Sequence, residues 1–213
     1  MKLRIIGDIH GHSQKHIEIA TGADYSIALG DIGFDYEYLK TLDPEKHRCL
    51  AGNHDRYDII YKYPHFLGDF GTYTIDNPQQ IPFDCFFIRG GYSIDKAYRT
   101  EGISWWANEE LSWEQMNECV KEYKRVKPDI VISHECPAEI IPYVVQNNFN
   151  IAPSATSRLL NELLTAHRPK LWFFGHLHNT CEYHDNSGSG HDVFLQNTTF
   201  YALDELDYID LQL

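Results

Sequence analysis

Metal-capable side chains recur in this chain directly after short apolar runs. Asp8 and His10 follow residues 3–6, Asp31 follows residues 25–29, and Asn53 and His54 follow residues 47–51. His134 ends an apolar run that begins at 129, and His176 and His178 follow residues 171–174. In extended backbone, residues two apart share a face, so Asp8/His10 and His176/His178 each present two donors in one direction. Gly7, Gly11, Gly30, Gly52 and Gly175 stand beside these groups and let the backbone turn sharply. The set suits two divalent cations. A carboxylate has two oxygens and can bridge, and Asp31 stands between the two pairs in sequence order. Asp8, His10 and His178 complete one site with it; Asn53, His134 and His176 complete the other. Nitrogen and oxygen donors without thiolate suit Mn, Fe, Zn, Co or Ni better than a structural zinc. Two carboxylates against two dications leave a local charge of about +2, which attracts phosphate.

A single histidine at a strand end is usually a hydrogen-bonded loop residue; recurrence at several strand ends is what points to metal. His12 has no place in the scheme, and Asp55 reads as a support for its loop. His16, His47, His65, His167, His184 and His191 read as surface or packing residues. Cys136, two residues from His134, reads as buried rather than reactive.

The elements that must hold these donors alternate between strand and helix. Strands are expected at 3–6, 25–29, 47–51, 129–134 and 171–174, with helices at 13–20 (Ser13 as cap), 109–126 (stopped by Pro128) and 154–167. That alternation argues for an α/β fold with strand C-termini lined along one edge. Residues 56–109 look less regular. Cys181 to His184 and Val193 to Leu195 flank a Gly/Ser-rich tip at 186–190, a hairpin signal. No repeat or linker divides the chain, so one domain over 1–213 is expected.

Composition narrows the partners. Asp and Glu number 31 against 18 Lys and Arg, a formal charge of −13, which excludes a protein holding duplex nucleic acid through many phosphate contacts. The five cysteines are scattered, without a C-x-x-C pair, and fit a reduced, cytoplasmic protein. The first residues lack a signal-peptide pattern, and no stretch approaches the roughly 18 apolar residues of a membrane span.

Taken in order, Gly7-Asp8-Ile9-His10, Gly30-Asp31, Gly52-Asn53-His54-Asp55, His134 and Gly175-His176-Leu177-His178 resemble the motif series of the calcineurin-like metallophosphoesterase superfamily. Gly91-Tyr92-Ser93-Ile94-Asp95 and Ser104-Trp105-Trp106 are similar to its small bacterial and bacteriophage members, which would place the protein in a host cytoplasm if its origin is phage. The resemblance implies a four-layer α-β-β-α sandwich, two mixed β-sheets flanked by helices. It also implies two divalent metal ions, Mn²⁺ first and Fe, Zn, Co or Ni as alternatives, on the order of 3.5–4 Å apart and sharing a hydroxide that attacks phosphorus. His54 would then be the general acid or leaving-group stabiliser, since it follows metal ligand Asn53 and turns elsewhere. Asp35 is the candidate carboxylate to orient it, at a spacing after Asp31 that differs from the family's. Arg56, Arg89 and Arg99 are candidates to clamp phosphate, each with a surface salt bridge as its alternative. Trp105 and Trp106 could form a platform for an aromatic group, or core packing.

The opening motif is close to that of the Ser/Thr protein phosphatase branch, but Ile32-Gly33-Phe34-Asp35 replaces its V-D-R-G, and Ala51-Gly52 its Arg-Gly. A phosphomonoesterase acting on a phosphorylated small molecule, nucleotide or phosphoprotein is therefore expected. A phosphodiesterase on nucleotides or short nucleic acids is the alternative, and a non-catalytic metal-binding scaffold a further one. Tyr143, Asn148 and Arg158 are candidates to influence substrate choice.

Overall fold

The structure is a computed structural model that describes residues 1–76, 82–145, 152–185 and 197–213. Asn148, His191, the expected tip at 186–190 and the apolar run at 193–195 lie outside the described residues. In chain order the elements are β1 (Lys2–Ile6), α1 (Ser13–Thr21), β2 (Tyr25–Ala28), β3 (His47–Cys49), β4 (Phe70–Ile75), β5 (Phe83–Ile88), α2 (Trp113–Val126), β6 (Ile130–Ser133), α3 (Ile141–Val144), α4 (Ala155–Ala166), β7 (Leu171–Phe174), β8 (Cys181–Asp185), β9 (Thr198–Ala202) and β10 (Tyr208–Gln212).

They form a four-stranded sheet, β10-β1-β2-β3, and a six-stranded sheet, β4-β5-β6-β7-β9-β8. Both are mixed: β1, β2 and β3 run parallel with β10 antiparallel at the edge, while β5, β6, β7 and β9 run parallel between antiparallel β4 and β8. Alternation of side chains along each strand decides the layering. Leu3, Ile5, Ile27 and Leu29 share one core with Phe83, Cys85, Phe87, Ile132 and Phe173, which is the packing of sheet on sheet. Their neighbours turn outward. Ile6 and Ala28 meet Ile19 and Ala20 of α1. Phe86, Ile88, Val131, Trp172 and Phe174 meet Cys119, Val120 and Tyr123 of α2 and Leu159, Leu160, Leu163 and Leu164 of α4. Strands buried on both faces read as unbroken apolar runs, and each fully buried side chain of this size contributes about 1.5–3 kcal/mol. The result is the four-layer α/β sandwich expected from the sequence.

Helix starts follow local chemistry. In α2, Ser112 accepts from the Gln115 amide at 3.3 Å and the Gln115 side chain accepts from the Ser112 amide at 2.8 Å, a reciprocal cap. The helix therefore begins at Trp113 rather than 109, and Ala107–Glu109 is a separate 3₁₀ turn. Ser154 caps α4 through the Ser157 amide at 2.8 Å. At α1, His12 occupies the cap position and makes no side-chain cap bond, so Ser13 lies inside the helix instead of capping it.

The irregular-looking middle contains β4 and β5, paired antiparallel from Phe70↔Ile88 to Ile75↔Phe83. The strand paired with β8 is β9, at Thr198–Ala202. Parallel strands from both sheets end at one edge of the sandwich. There the loops after β1, β2 and β3 face those after β5, β6 and β7.

Candidate metal centre

Backbone hydrogen bonds fasten these loops to one another. The His10 amide donates to Asp31 O at 2.7 Å, the His54 amide to Asp31 Oδ1 at 2.7 Å, and the His176 amide to both Asp8 oxygens at 3.0 and 3.2 Å. His10, Asp31, His176 and His178 take φ values of 45°, 49°, 65° and 46°. Among the described residues the only other non-glycine positions with positive φ are Lys127 and Leu206. Backbone held in this sparsely populated region costs on the order of 1–3 kcal/mol per residue, and such strain clusters at functional sites. At Gly52 the requirement is space: a Cβ would strike Asp31 Oδ1 and the His134 ring.

The donors converge. Asp8–His10–His178, His10–Asp31–His54 and Asp8–Asp31–His134 each bring one donor atom per residue within 4.8 Å of one another. Asp8 and Asp31 are buried. The Leu29 carbonyl can only accept, so its 3.1 Å contact puts the proton of His134 on Nδ1. His134 Nε2 then offers a lone pair 3.1 Å from Asn53 Oδ1 and 3.4 Å from Asp31 Oδ1. His10 Nε2 is buried with no hydrogen-bond partner, 3.5 Å from Asp31 Oδ2 and 3.8 Å from Asp8 Oδ2. His178 Nε2 lies 3.9 Å from Asp8 Oδ2, and the His176 ring stands 5.0 Å from that of His134, centre to centre. Lone pairs facing lone pairs in a buried site are favourable only with a cation or a proton between them.

The titration behaviour follows. Burial, then the charges of Asp8 and Asp55, hold the Asp31 pKa well above the ordinary carboxylate value. Burial also acts to raise Asp8, but His134, His10 and His176 outweigh it and leave Asp8 below its usual value. Burial pushes His134 down to about 3 and His176 to about 4. Of the two carboxylates Asp31 is therefore the one that holds a proton more readily, and a bound cation competes with that proton. The donor set thus fits hard-to-borderline divalent metals.

His54 lies at the edge of this cluster, its ring 5.1 Å from that of His10. Its neighbour is Arg99, whose terminal nitrogens lie 3.2 and 3.0 Å from His54 Nδ1 and Nε2. Arg99 is held by Asp95 Oδ1 at 2.6 Å and Ser104 O at 3.0 Å. Burial, Arg99 and His10 push the His54 pKa to about 4 against the pull of Asp95, so the ring is neutral near pH 7.

Three of the expected site residues lie elsewhere. Asp35 is exposed and its Oδ1 accepts from the Glu37 amide at 3.0 Å, opening a short 3₁₀ turn; the carboxylate acting on His54 belongs to Asp95. Arg89 is 1% exposed, bonded to Asp69 at 2.5 Å and to the carbonyls of Asn108 and Glu109, so it ties loops together and cannot reach a substrate. Arg56 pairs with Asp58 at 2.9 Å and lies over Trp106, away from the cavity lining. Of the three arginines only Arg99 comes to the site. Asp55 supports its loop, accepting from the Gly52 amide at 2.7 Å and the Tyr36 hydroxyl at 2.8 Å. Trp106 is core packing. Tyr143 stacks on Tyr183, and neither it nor Arg158 lines the cavity.

A cavity of about 520 Å³ opens over the cluster. Its lining includes His10, Asp31, Asn53, His54, His176 and His178, then Arg99 and Asp95, and an apolar side formed by Tyr92, Ile94, Val145 and Leu177. Glu135, also in the lining, is buried and accepts from Ser154 Oγ at 2.8 Å; burial pushes its pKa to about 8. The sequence reading assigned no role to Ser93, Asp95 or Glu135. A signal was present, because Phe83–Ile88 is a sixth largely apolar run leading into glycines and then polar residues, the pattern that marked the others.

Two face-to-face mixed sheets with Asp, Asn and His donors at their strand ends define a metallophosphoesterase-type architecture. The chain belongs to the calcineurin-like phosphoesterase family, whose model matches residues 1–180. Membership supports metal-dependent hydrolysis of phosphoesters and implies a dinuclear divalent metal site. No curated protein matches the sequence. Among solved structures, the chain is similar to a phosphopantetheinyl hydrolase from Mycobacterium tuberculosis (12% identity, TM-score 0.54, 96% of this chain and 89% of that one). It is similar to a dimetal phosphatase from Danio rerio (13%, 0.52, 97% and 88%). It is also similar to GAP50, the anchor in the inner membrane complex of Plasmodium (11%, 0.50, 95% and 71%). At these identities the likeness concerns the fold.

Proposed function

We propose that the chain is a phosphomonoesterase that holds one divalent cation between Asp8, His10, Asp31 and His178 and a second between Asp31, Asn53, His134 and His176. The observation that carries the reading is the meeting of His134 Nε2, Asn53 Oδ1 and Asp31 Oδ1 as lone-pair donors in a buried site. Bound there, the cations supply Lewis-acid charge to a phosphate group and lower the pKa of water. Asp31, with two oxygens facing different imidazoles, would serve both cations. His54, at the cavity wall, hydrogen-bonds the leaving oxygen, and Arg99 binds the phosphate's outer oxygens.

Among the described residues the lining offers one guanidinium and no lysine, beside an apolar wall. That supports one phosphate carrying one organic group, on a small molecule, nucleotide or phosphoprotein side chain. Mn²⁺ is the metal we propose, with Fe, Zn, Co and Ni to be compared with it. Cytoplasmic residence is supported by five thiols, four of them buried, none in a disulfide. No helix among the described residues is long and apolar enough to cross a membrane.

The test is hydrolysis of p-nitrophenyl phosphate and bis(p-nitrophenyl) phosphate with each metal. The monoester is expected to turn over at least about tenfold faster, a gap of roughly 1.4 kcal/mol in barrier. An equal or faster diester rate overturns the monoesterase assignment. No turnover with any metal overturns hydrolysis and favours a scaffold. His54→Ala is expected to cut turnover by about 10²–10⁴-fold with metal content unchanged.

A further inference from the structure

We propose that Ser93, held by Glu109, is a positioning residue that fixes the side-chain amide of Asn53 with its oxygen toward the metal centre. The inference rests on the reading of Asn53 as a ligand and concerns how that ligand is aimed.

An asparagine side chain has an oxygen on one side and an NH₂ on the other, with nearly the same shape. Only the oxygen can bind a cation, so a site that uses Asn must exclude the flipped amide. The exclusion here follows from counting protons. Glu109, 2% exposed, accepts from the Ser93 amide at 3.0 Å on one carboxylate oxygen and from Ser93 Oγ at 2.7 Å on the other. The hydroxyl has one proton, and Glu109 takes it. Toward Asn53, 3.2 Å away, Ser93 Oγ can then only accept. The Asn53 group facing it must be Nδ2, which leaves Oδ1 facing His134 Nε2 at 3.1 Å. Flipping the amide would set oxygen against the hydroxyl lone pairs and NH₂ against the metal.

The backbone makes this chain of contacts rigid. At Gly91, a Cβ would stand 2.9 Å from His134 Cδ2 and 3.5 Å from Asn53 Oδ1, so the loop after β5 lies directly against the ligands. Tyr57, from the loop that carries Asn53, places its hydroxyl 3.0 Å from Gly52 O and 3.2 Å from Glu109 O, so that its one proton lies between two carbonyls. The turn Ala107–Glu109 is therefore joined to the loop that carries Asn53 directly through Tyr57 as well as through Ser93. Groups that orient metal ligands typically change affinity by about 10–100-fold when removed.

Calorimetric titration of the whole chain with Mn²⁺, paired with low-temperature EPR, tests the role. Wild type is expected to bind two equivalents and give a spin-coupled dinuclear signal. Ser93→Ala is expected to weaken one equivalent at least about tenfold, leave the other within about twofold, and give a mononuclear signal at one added equivalent. Ser93→Thr, which keeps the hydroxyl, restores the coupled signal. Glu109→Gln, whose amide can donate to Ser93 and free its proton to donate to Asn53, weakens the same equivalent; it decides the matter if Ser93→Ala does not fold. Both affinities unchanged in Ser93→Ala and Glu109→Gln, or both lost equally, overturns the positioning role. A wild-type chain that binds no Mn²⁺ overturns instead the ligand reading on which the role depends.

Discussion

Arg99 and His54 face each other nitrogen to nitrogen, at 3.2 and 3.0 Å, across the mouth of the cavity. A neutral imidazole accepts through one nitrogen alone, so the ring is a weak anchor, and Asp95 and Ser104 O hold the guanidinium in place. It is thereby available to an anion. Arg99→Ala is expected to raise KM for p-nitrophenyl phosphate by roughly tenfold or more, with two metals still bound. It also lifts the His54 pKa from about 4 toward its ordinary 6.5, because Arg99 is the second cause of that depression after burial. Steady-state kinetics, metal analysis and an NMR titration of the ring check this. An unchanged KM removes Arg99 from the phosphate site.

Metal is expected to stabilise the fold as well as supply chemistry. Asp8 and Asp31 are both buried close together, and a cation between them compensates carboxylates that burial otherwise disfavours. With free metal at 100 times its Kd, a single site contributes about 2.7 kcal/mol, or roughly 5–10 °C in melting temperature at this chain length. Melting with Mn²⁺ and with excess chelator measures the increment, which Asp31→Ala should remove. Equal melting temperatures in Mn²⁺ and chelator would contradict the centre.

How much of this was legible in the sequence depended on the period of the pattern. Strands buried on both faces, such as Leu171–Phe174, show as uninterrupted apolar runs whose ends coincide with the strand's ends. β4 and β10 sit at sheet edges and alternate exposed with half-buried positions, so Phe70–Ile75 and Tyr208–Gln212 carried little signal. The metal-capable residues were legible because each follows such a run. What surrounds them was not. Arg89, Arg56 and Arg99 look alike in sequence, and only packing separates a guanidinium locked to Asp69 from one facing His54. Asp35 stands four residues after Asp31 in the chain yet is exposed away from the cavity, whereas Asp95 reaches the site from more than forty residues beyond His54 through the loop after β5.

Removing Arg89 should cost stability and leave catalysis alone. Its guanidinium bonds Asp69, two backbone carbonyls and the face of Tyr57, at 4.5 Å from the ring centre. Breaking a buried pair of this kind costs about 3–5 kcal/mol; Asp69 keeps Tyr61 and Gln115 as donors, which puts Arg89→Met near the lower figure. Denaturant unfolding gives the loss. At a temperature where the variant is folded, KM for p-nitrophenyl phosphate should match wild type, and a raised KM would return Arg89 to the substrate site.

Acid should weaken the fold through His16, on the buried face of α1, which is 2% exposed with Nδ1 2.7 Å from the Tyr38 hydroxyl. Burial, reinforced by His47 and His65, lowers its pKa from the ordinary 6.5 to about 4. The folded chain therefore keeps His16 neutral over a range where the unfolded chain protonates it. The unfolded state binds more protons there, so stability is fully present above pH 6.5 and is lost as pH falls toward 4. The difference amounts to on the order of 3 kcal/mol. His16→Gln keeps a partner for Tyr38 but does not titrate. Urea unfolding of both proteins in chelator at pH 7 and pH 4.5 should show the wild type losing more stability than the variant by about 2–3 kcal/mol. Equal losses would mean that His16 is protonated as readily in the folded chain as in the unfolded one.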